Sequence, residues 1–182
     1  MFTTEQQRFL LALARAAVTN AVTRRPLPQP AQLDELFTQP LGAFVTLTKN
    51  GELRGCIGYP EPHFPLFETI IHSGASAALQ DPRFPPVSAG ELDALHIEIS
   101  VLSPLQRAAA EEVEVGTHGL VIERGHNRGL LLPQVPVEWG WDREQFLAQI
   151  CRKAGLPTDA WRMGATLYTF TAEVFAEEKR QK

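Results

Sequence analysis

The pair Asn50-Gly51 stands between two short runs, Phe44-Val45-Thr46-Leu47 and Leu53-Arg54-Gly55-Cys56-Ile57-Gly58. Asn-Gly is the favoured centre of a type I′ turn, because both central residues take positive φ and the turn's twist matches that of paired strands. The pair therefore predicts a two-residue β-hairpin with strands over 42–48 and 52–58. Counting outward sets Lys49 opposite Glu52, Leu47 opposite Arg54 and Val45 opposite Cys56. Alternation then puts Arg54 and Cys56 on one sheet face, ~7 Å apart along the strand, with Leu53, Gly55 and Ile57 on the other.

Helices and further strands are predicted around this hairpin. Leu10, Leu13, Ala14, Ala17, Val18 and Ala21 recur at helical spacing, so 4–24 reads as an amphipathic helix, with Thr4 and Gln7 as its capping box. Pro26, Pro28 and Pro30 stop it, and a short helix follows over 31–37. A helix from about Pro65 to Leu79 ends at Asp81-Pro82-Arg83-Phe84-Pro85-Pro86, and Ser88 with Glu91 caps another short one. Leu95 to Leu102 alternates, with Ile97, Ile99 and Val101 inward and His96, Glu98 and Ser100 on the opposite face. Strands are expected near 120–123 and 130–132, joined by 125–129, and Leu130 to Pro136 reads as an apolar strand with an abrupt end. Asp142 with Gln145 caps a helix reaching Ala154, and Leu167 to Phe175 alternates as a final strand. Hairpins mixed with unevenly spaced helices predict an α+β fold of largely antiparallel sheets with flanking helices.

Charge and cysteine usage narrow the function. A net charge of -4 carries no basic footprint, which argues against nucleic acid as a partner. No apolar run approaches the ~20 residues that span a bilayer, so no membrane role is expected. Glu5 stands where a signal peptide would be basic, and two cysteines make no disulfide framework. The expected location is the cytoplasm, with reduced thiols. The histidines and cysteines form neither an H-x-x-x-H nor a C-x-x-C set, so no structural zinc site is expected. The glycines match no dinucleotide or P-loop pattern, and no cofactor is expected.

Within this frame Cys56 is the first candidate for chemistry. A thiolate is the reactive form of cysteine and a nearby cation favours it, so Arg54 is the candidate activating charge, or the clamp for an anionic group. Gly55 and Gly58 leave backbone that a ligand can approach. The opposing reading makes Cys56 a small packing residue beside Val45, since free cysteine is among the most buried residue types. His72, mid-helix, and Glu98, on the strand 95–102, are candidate proton carriers. Asp81 and Arg83 bracket a proline turn and suit a polar ligand, or else an Asx turn with its own ion pair. His118, in Gly116-Thr117-His118-Gly119, and Gln134 are candidate ligand contacts, each with a plain reading as a solvated or hydrogen-bonded side chain.

Taken in order, FVTL, ELRGCIG, AALQDPRF, IEISVLSP, THGLVI, GLLLPQVP, FLAQICRKAGLP and YTFTAEVF resemble the AMMECR family over about residues 40–176. The prokaryotic branch of that family is the A component of the AmmeMemoRadiSam system. The resemblance implies one domain over 1–182, built as a larger and a smaller subdomain with a cleft between them. It also implies a cytoplasmic location and an association with a Memo-type protein and a radical S-adenosylmethionine enzyme. The family's LRGCIG motif, proposed as its functional segment, maps onto Leu53, Arg54, Gly55, Cys56, Ile57 and Gly58 without substitution. Two functions follow. One is a ligand-binding or catalytic cleft at this strand, with Cys56 thiol chemistry aided by Arg54 and by His72 or Glu98. The other is a non-catalytic module that recognises a partner protein through Arg54, Asp81 and Arg83.

Overall fold

The hairpin forms where Asn50-Gly51 predicts it, with φ of 55° and 86° at the two turn residues. The structure is a computed structural model that describes residues 1–178. Strand β1 (Ala43–Lys49) pairs with β2 (Glu52–Tyr59), and Lys49 does face Glu52. Then the register shifts: Thr48 pairs with Leu53, but Leu47 pairs with Gly55. Arg54 is the extra residue of a β-bulge. The expected pairs Leu47–Arg54 and Val45–Cys56 are therefore replaced by Leu47–Gly55, Val45–Ile57 and Thr46–Cys56. The cause is the sheet's buried face. Leu47 has no exposure, and a guanidinium directly opposite it would be desolvated at high cost. The bulge takes Arg54 out of register and brings Gly55 onto that face instead. Leu53, opposite Thr48, joins the face of Cys56 rather than that of Gly55 and Ile57.

β3 (Leu95–Leu102) pairs antiparallel with the other edge of β1, and β8 (Ala172–Ala176) completes the order β2-β1-β3-β8. One face of this sheet presents Ala43, Val45, Leu47, Ile97, Ile99 and Val101, all essentially unexposed. Helices α1 (Thr4–Val22) and α3 (Leu66–Leu79) pack on it through Leu10, Ala14, Val18, Leu66, Ile70, Ala77 and Ala78. Each large apolar side chain buried there contributes roughly 1.5–3 kcal/mol. The opposite face carries Thr46, Thr48, Cys56, His96, Glu98 and Ser100.

Helix α1 starts at Thr4, where the spacing predicts it, but its capping box lies one residue earlier than Thr4 and Gln7. Thr3 is the N-cap, extended at φ −66° and ψ 160°, and its capping box closes with Gln6. The reason is tertiary: the Phe2 amide donates to Glu173 at 2.9 Å and its ring packs against Phe37 and Phe175, which fixes the chain before the helix begins. The short helix α2 (Glu35–Thr38) buries Phe37.

A second sheet has the order β4-β7-β5-β6, from β4 (Gln106–Arg107), β5 (Gly119–Arg124), β6 (Asn127–Leu131) and β7 (Thr166–Phe170). Helix α5 (Arg143–Lys153) sets Phe146, Leu147, Ile150 and Cys151 among Leu120, Ile122, Leu131 and Leu167. β5 and β6 join through Gly125-His126 alone, a tighter turn than 125–129. Beyond Leu131 the chain is helical, not extended: Pro133 sits at φ −59° and ψ −32° and α4 (Gln134–Trp139) follows. Pro136 is tolerated because the first amides of a helix have no partner within it.

The expected strand 167–175 is two strands, β7 and β8, in different sheets, and Thr171 separates them. There the Ser103 amide donates to Thr171 O and the Thr171 amide to Ser103 Oγ, each at 2.9 Å. The chain accordingly forms two compact units: Met1–Leu102 with the return from Glu173, and Ser103–Ala172. The fold is α+β, and each pairing described within the two sheets is antiparallel. No helix among the described residues is long and apolar enough to cross a membrane.

Candidate functional site

β2 is an edge strand of the first sheet, so its outward backbone groups lack a neighbouring strand. At Cys56 the DPRF turn takes that neighbour's place. Asp81 Oδ2 accepts the Cys56 amide at 2.9 Å, and Arg83 Nη2 donates to the Cys56 carbonyl at 3.4 Å. The two side chains are themselves paired, Arg83 Nε to Asp81 Oδ1 at 3.0 Å and Nη2 to Oδ2 at 2.7 Å. The Asp81 side chain is 2% exposed and that of Arg83 is 55% exposed. Arg83 holds the Asp81 carboxyl far below the usual carboxylate range, against the opposing effect of burial, with the Cys56 and Arg83 amides adding to the depression. Arg83 is in turn held more basic than usual by its hydrogen bonds to Asp81, against the opposing effect of burial.

The Cys56 side chain is half-buried on the face away from α1 and α3. The packing reading placed it beside Val45, and its actual neighbour is Thr46, whose Oγ1 donates to Cys56 Sγ at 3.3 Å. Thr46 also pairs with Glu98, so Cys56, Thr46 and Glu98 form one row across three strands. Two strand spacings put Cys56 and Glu98 about 10 Å apart at their Cα atoms, beyond direct contact.

Arg54 does not turn to the sulfur. Its Nε and Nη2 bond Glu91 at 3.1 and 3.2 Å, and Nη1 bonds Pro85 O at 2.9 Å. Glu91 also accepts from Lys49 Nζ at 2.9 Å and from the Ser88 amide at 2.9 Å. Arg54 first, then Ser88 and Lys49, hold its carboxyl far below the usual range. Arg54 thus ties the hairpin to the segment 85–91, and the cation beside Cys56 is Arg83.

The two glycines of the motif serve the fold. A Cβ on Gly55 would collide with the Ala77 carbonyl of α3, and one on Gly58 with Ala43 O and the Phe44 ring. The space beside both is filled by the protein itself. His72 is exposed on α3, its ring 5.9 Å from that of Phe64, and the helix packs on the sheet face opposite Cys56. His118 and Gln134 belong to the second unit. His118 Nδ1 accepts the Glu114 amide at 3.2 Å, and Gln134 is exposed at the first position of α4. Among the described residues no group of three His, Cys, Asp or Glu side chains is arranged to hold a metal ion.

Thr46 and Glu91 are the site residues that sequence reasoning missed. Thr46 depends on the bulge, which no local signal announced. Glu91 was legible only as the capping partner of Ser88.

An α+β chain with two antiparallel sheets, and a cysteine clamped on an edge strand by a neighbouring Asp-Pro-Arg turn, is the class that fold and site define. The chain belongs to the AMMECR1 family, whose profile matches residues 11–175. It is 46% identical over 183 residues to a protein of Methanothermobacter thermautotrophicus, covering 96% of this chain and 95% of that one. A Thermococcus kodakarensis protein is 48% identical over 187 residues, covering 96% and 91%. The crystal structure of an uncharacterized protein from Pyrococcus horikoshii matches with a TM-score of 0.84 at 44% identity, covering 97% of this chain and 94% of that one.

Proposed function

We propose that the sheet face carrying Cys56, Thr46 and Glu98 binds a small molecule or peptide, and that Cys56 acts on it as a thiol nucleophile. The observation that carries this is the 3.3 Å hydrogen bond from Thr46 Oγ1 to Cys56 Sγ on a half-buried, non-core face. The Thr46 hydroxyl orients the sulfur, and the Asp81–Arg83 clamp fixes the strand that presents it. Arg83 supplies the positive charge first assigned to Arg54, and Glu98 serves as proton carrier through the bound molecule. The protein works in the cytoplasm with a Memo-type protein and a radical S-adenosylmethionine enzyme.

The test is iodoacetamide labelling read by mass spectrometry. Cys151 is a built-in reference, because burial pushes its thiol up and it has no exposure. Cys56 should label at least about tenfold faster than Cys151 near neutral pH, and Thr46→Val should slow it. Equal rates for the two thiols would end the thiol reading. A non-catalytic module remains the second reading because Arg83 is 55% exposed. It is supported if Cys56→Ser leaves binding of the Memo-type protein intact while Arg83→Ala abolishes it.

A further inference from the structure

Two of the chain's three tryptophans lie together on the second unit, where the thiol site has no use for them. Trp139 is 70% exposed and Val137 61% exposed, both on α4. Trp141 is half-buried, packed at the edge of the core around Phe146 and Leu147. The two indoles stack with centroids 6.0 Å apart and planes 18° from parallel. The turn between them is tightly held. Gly140 takes φ 64°, and the Trp141 amide donates to Pro136 O at 2.8 Å. One ring is thus anchored in the core and supports the other in solvent. A large, rigid aromatic surface of this kind loses little conformational entropy on binding, and tryptophan is enriched among the residues that dominate interfaces.

The surrounding charges choose the occupant. The turn ahead of β5 lies against α4, since a Cβ on Gly116 would sit 3.2 Å from Val137 Cγ2. Glu114 is on that turn and Glu138 is between Val137 and Trp139, and both are exposed. Neither makes an ion pair among the described residues. Arg143, two residues beyond Trp141, donates its Nη1 to Glu111 O at 3.0 Å. The platform is therefore apolar at its centre, with the carboxylates of Glu114 and Glu138 on the side of Val137 and Trp139 and the Arg143 guanidinium held to a backbone carbonyl beyond Trp141. A second copy of the chain would bring the same carboxylates to a self-complementary contact, and like charges facing each other oppose it. A cation is attracted both to indole faces and to the carboxylates.

We propose that Val137, Trp139 and Trp141 form a docking platform for a basic, apolar segment of a partner protein. Lysine or arginine side chains of the segment lie over the indoles and meet Glu114 and Glu138. The platform uses none of the residues of the Cys56 site, and either assignment can fail without the other.

The experiment titrates the full chain with a synthetic amphipathic peptide of leucine and lysine, and with its counterpart carrying glutamate for every lysine. Tryptophan emission and acrylamide quenching are followed, with Trp161 as the internal reference. The lysine peptide should shield the indoles, and its affinity should fall as salt rises from about 50 to about 300 mM. The glutamate peptide should not bind. Trp139→Ala, at an exposed position, should weaken the lysine peptide by about tenfold or more. Glu114→Gln with Glu138→Gln should weaken it and flatten its salt dependence. Four results would each overturn the proposal. They are equal binding of both peptides, no effect of Trp139→Ala, self-association that buries the tryptophans in sedimentation, and shielding by phosphatidylcholine vesicles but not by the lysine peptide.

Discussion

Asp81 and Cys56 are joined through backbone and side chain across 25 positions of sequence, with Asp81 Oδ2 accepting the Cys56 amide at 2.9 Å. The bond links the two most distinctive segments of the chain, LRGCIG and DPRF. It gives the exposed edge of β2 a partner where the cysteine sits, and the carboxylate that does so is almost wholly buried. Removing it strands both the Cys56 amide and a guanidinium that has lost its counter-ion. Asp81→Ala should therefore lower stability by about 1–3 kcal/mol in urea unfolding at neutral pH. The same variant should raise hydrogen exchange at the Cys56 amide more than at amides elsewhere in β2.

Acid should act through two carboxylates. Asp81 and Glu91 have ordinary values of 3.8 and 4.5, and both are held far lower in the folded protein. The unfolded chain then binds more protons than the folded one, so stability is full above those ordinary values and is lost as pH falls through the folded ones. The urea midpoint should be flat from neutral pH to about pH 5 and decline steadily below it. Asp81→Asn and Glu91→Gln should each make the decline shallower. A midpoint whose acid decline is the same in both variants as in the parent would show that other groups set it.

The glycines of the motif should differ from a glycine in open space. Gly55→Ala pushes a methyl group into the α3 backbone at Ala77, which cannot move as a side-chain tip can. A loss of about 1–3 kcal/mol or more is expected. Gly90→Ala, where nothing lies within 4 Å of the new Cβ, should change the thermal midpoint little. Equal effects at the two positions would contradict the packing of α3 against β2.

The two arginines near the motif should separate cleanly. Arg83→Met removes the cation at Cys56 and should slow Cys56 alkylation at neutral pH. Arg54→Met should leave that rate unchanged and lower stability instead, because Glu91 loses one of its donors and the Pro85 carbonyl loses the Arg54 guanidinium. His72→Ala should alter neither. A slowed thiol in Arg54→Met with a normal one in Arg83→Met would reverse the assignment.

Much of the fold was legible because its signals are local. Asn50-Gly51 announced the hairpin, Ser88-Glu91 and Asp142-Gln145 announced their caps, and the alternation of 95–102 announced which side of β3 is core. Helix α4 was missed because the apolar run Leu130 to Pro136 read as one strand, although proline is at home in the first turn of a helix. The stretch 167–175 read as one strand because a period of two is the same in either sheet. Only the exchange of hydrogen bonds between Ser103 and Thr171 shows where the chain leaves one sheet for the other.

The candidate site divides along the same line. The sequence alone determined that a hairpin carries Arg54 and Cys56, that Asp81 and Arg83 bracket a proline turn, and that the chain matches one family along most of its length. Each of these is written in neighbouring residues. Tertiary structure decided the rest. Burying Leu47 forced the bulge that moved Arg54 out of register, and the bulge set Thr46 beside the sulfur. The free edge of β2 then drew Asp81 and Arg83 onto Cys56, while Glu91 took Arg54. Register depends on what lies beneath a sheet, and ion-pair partners depend on which segments fold together, so neither is set by residues adjacent in the chain.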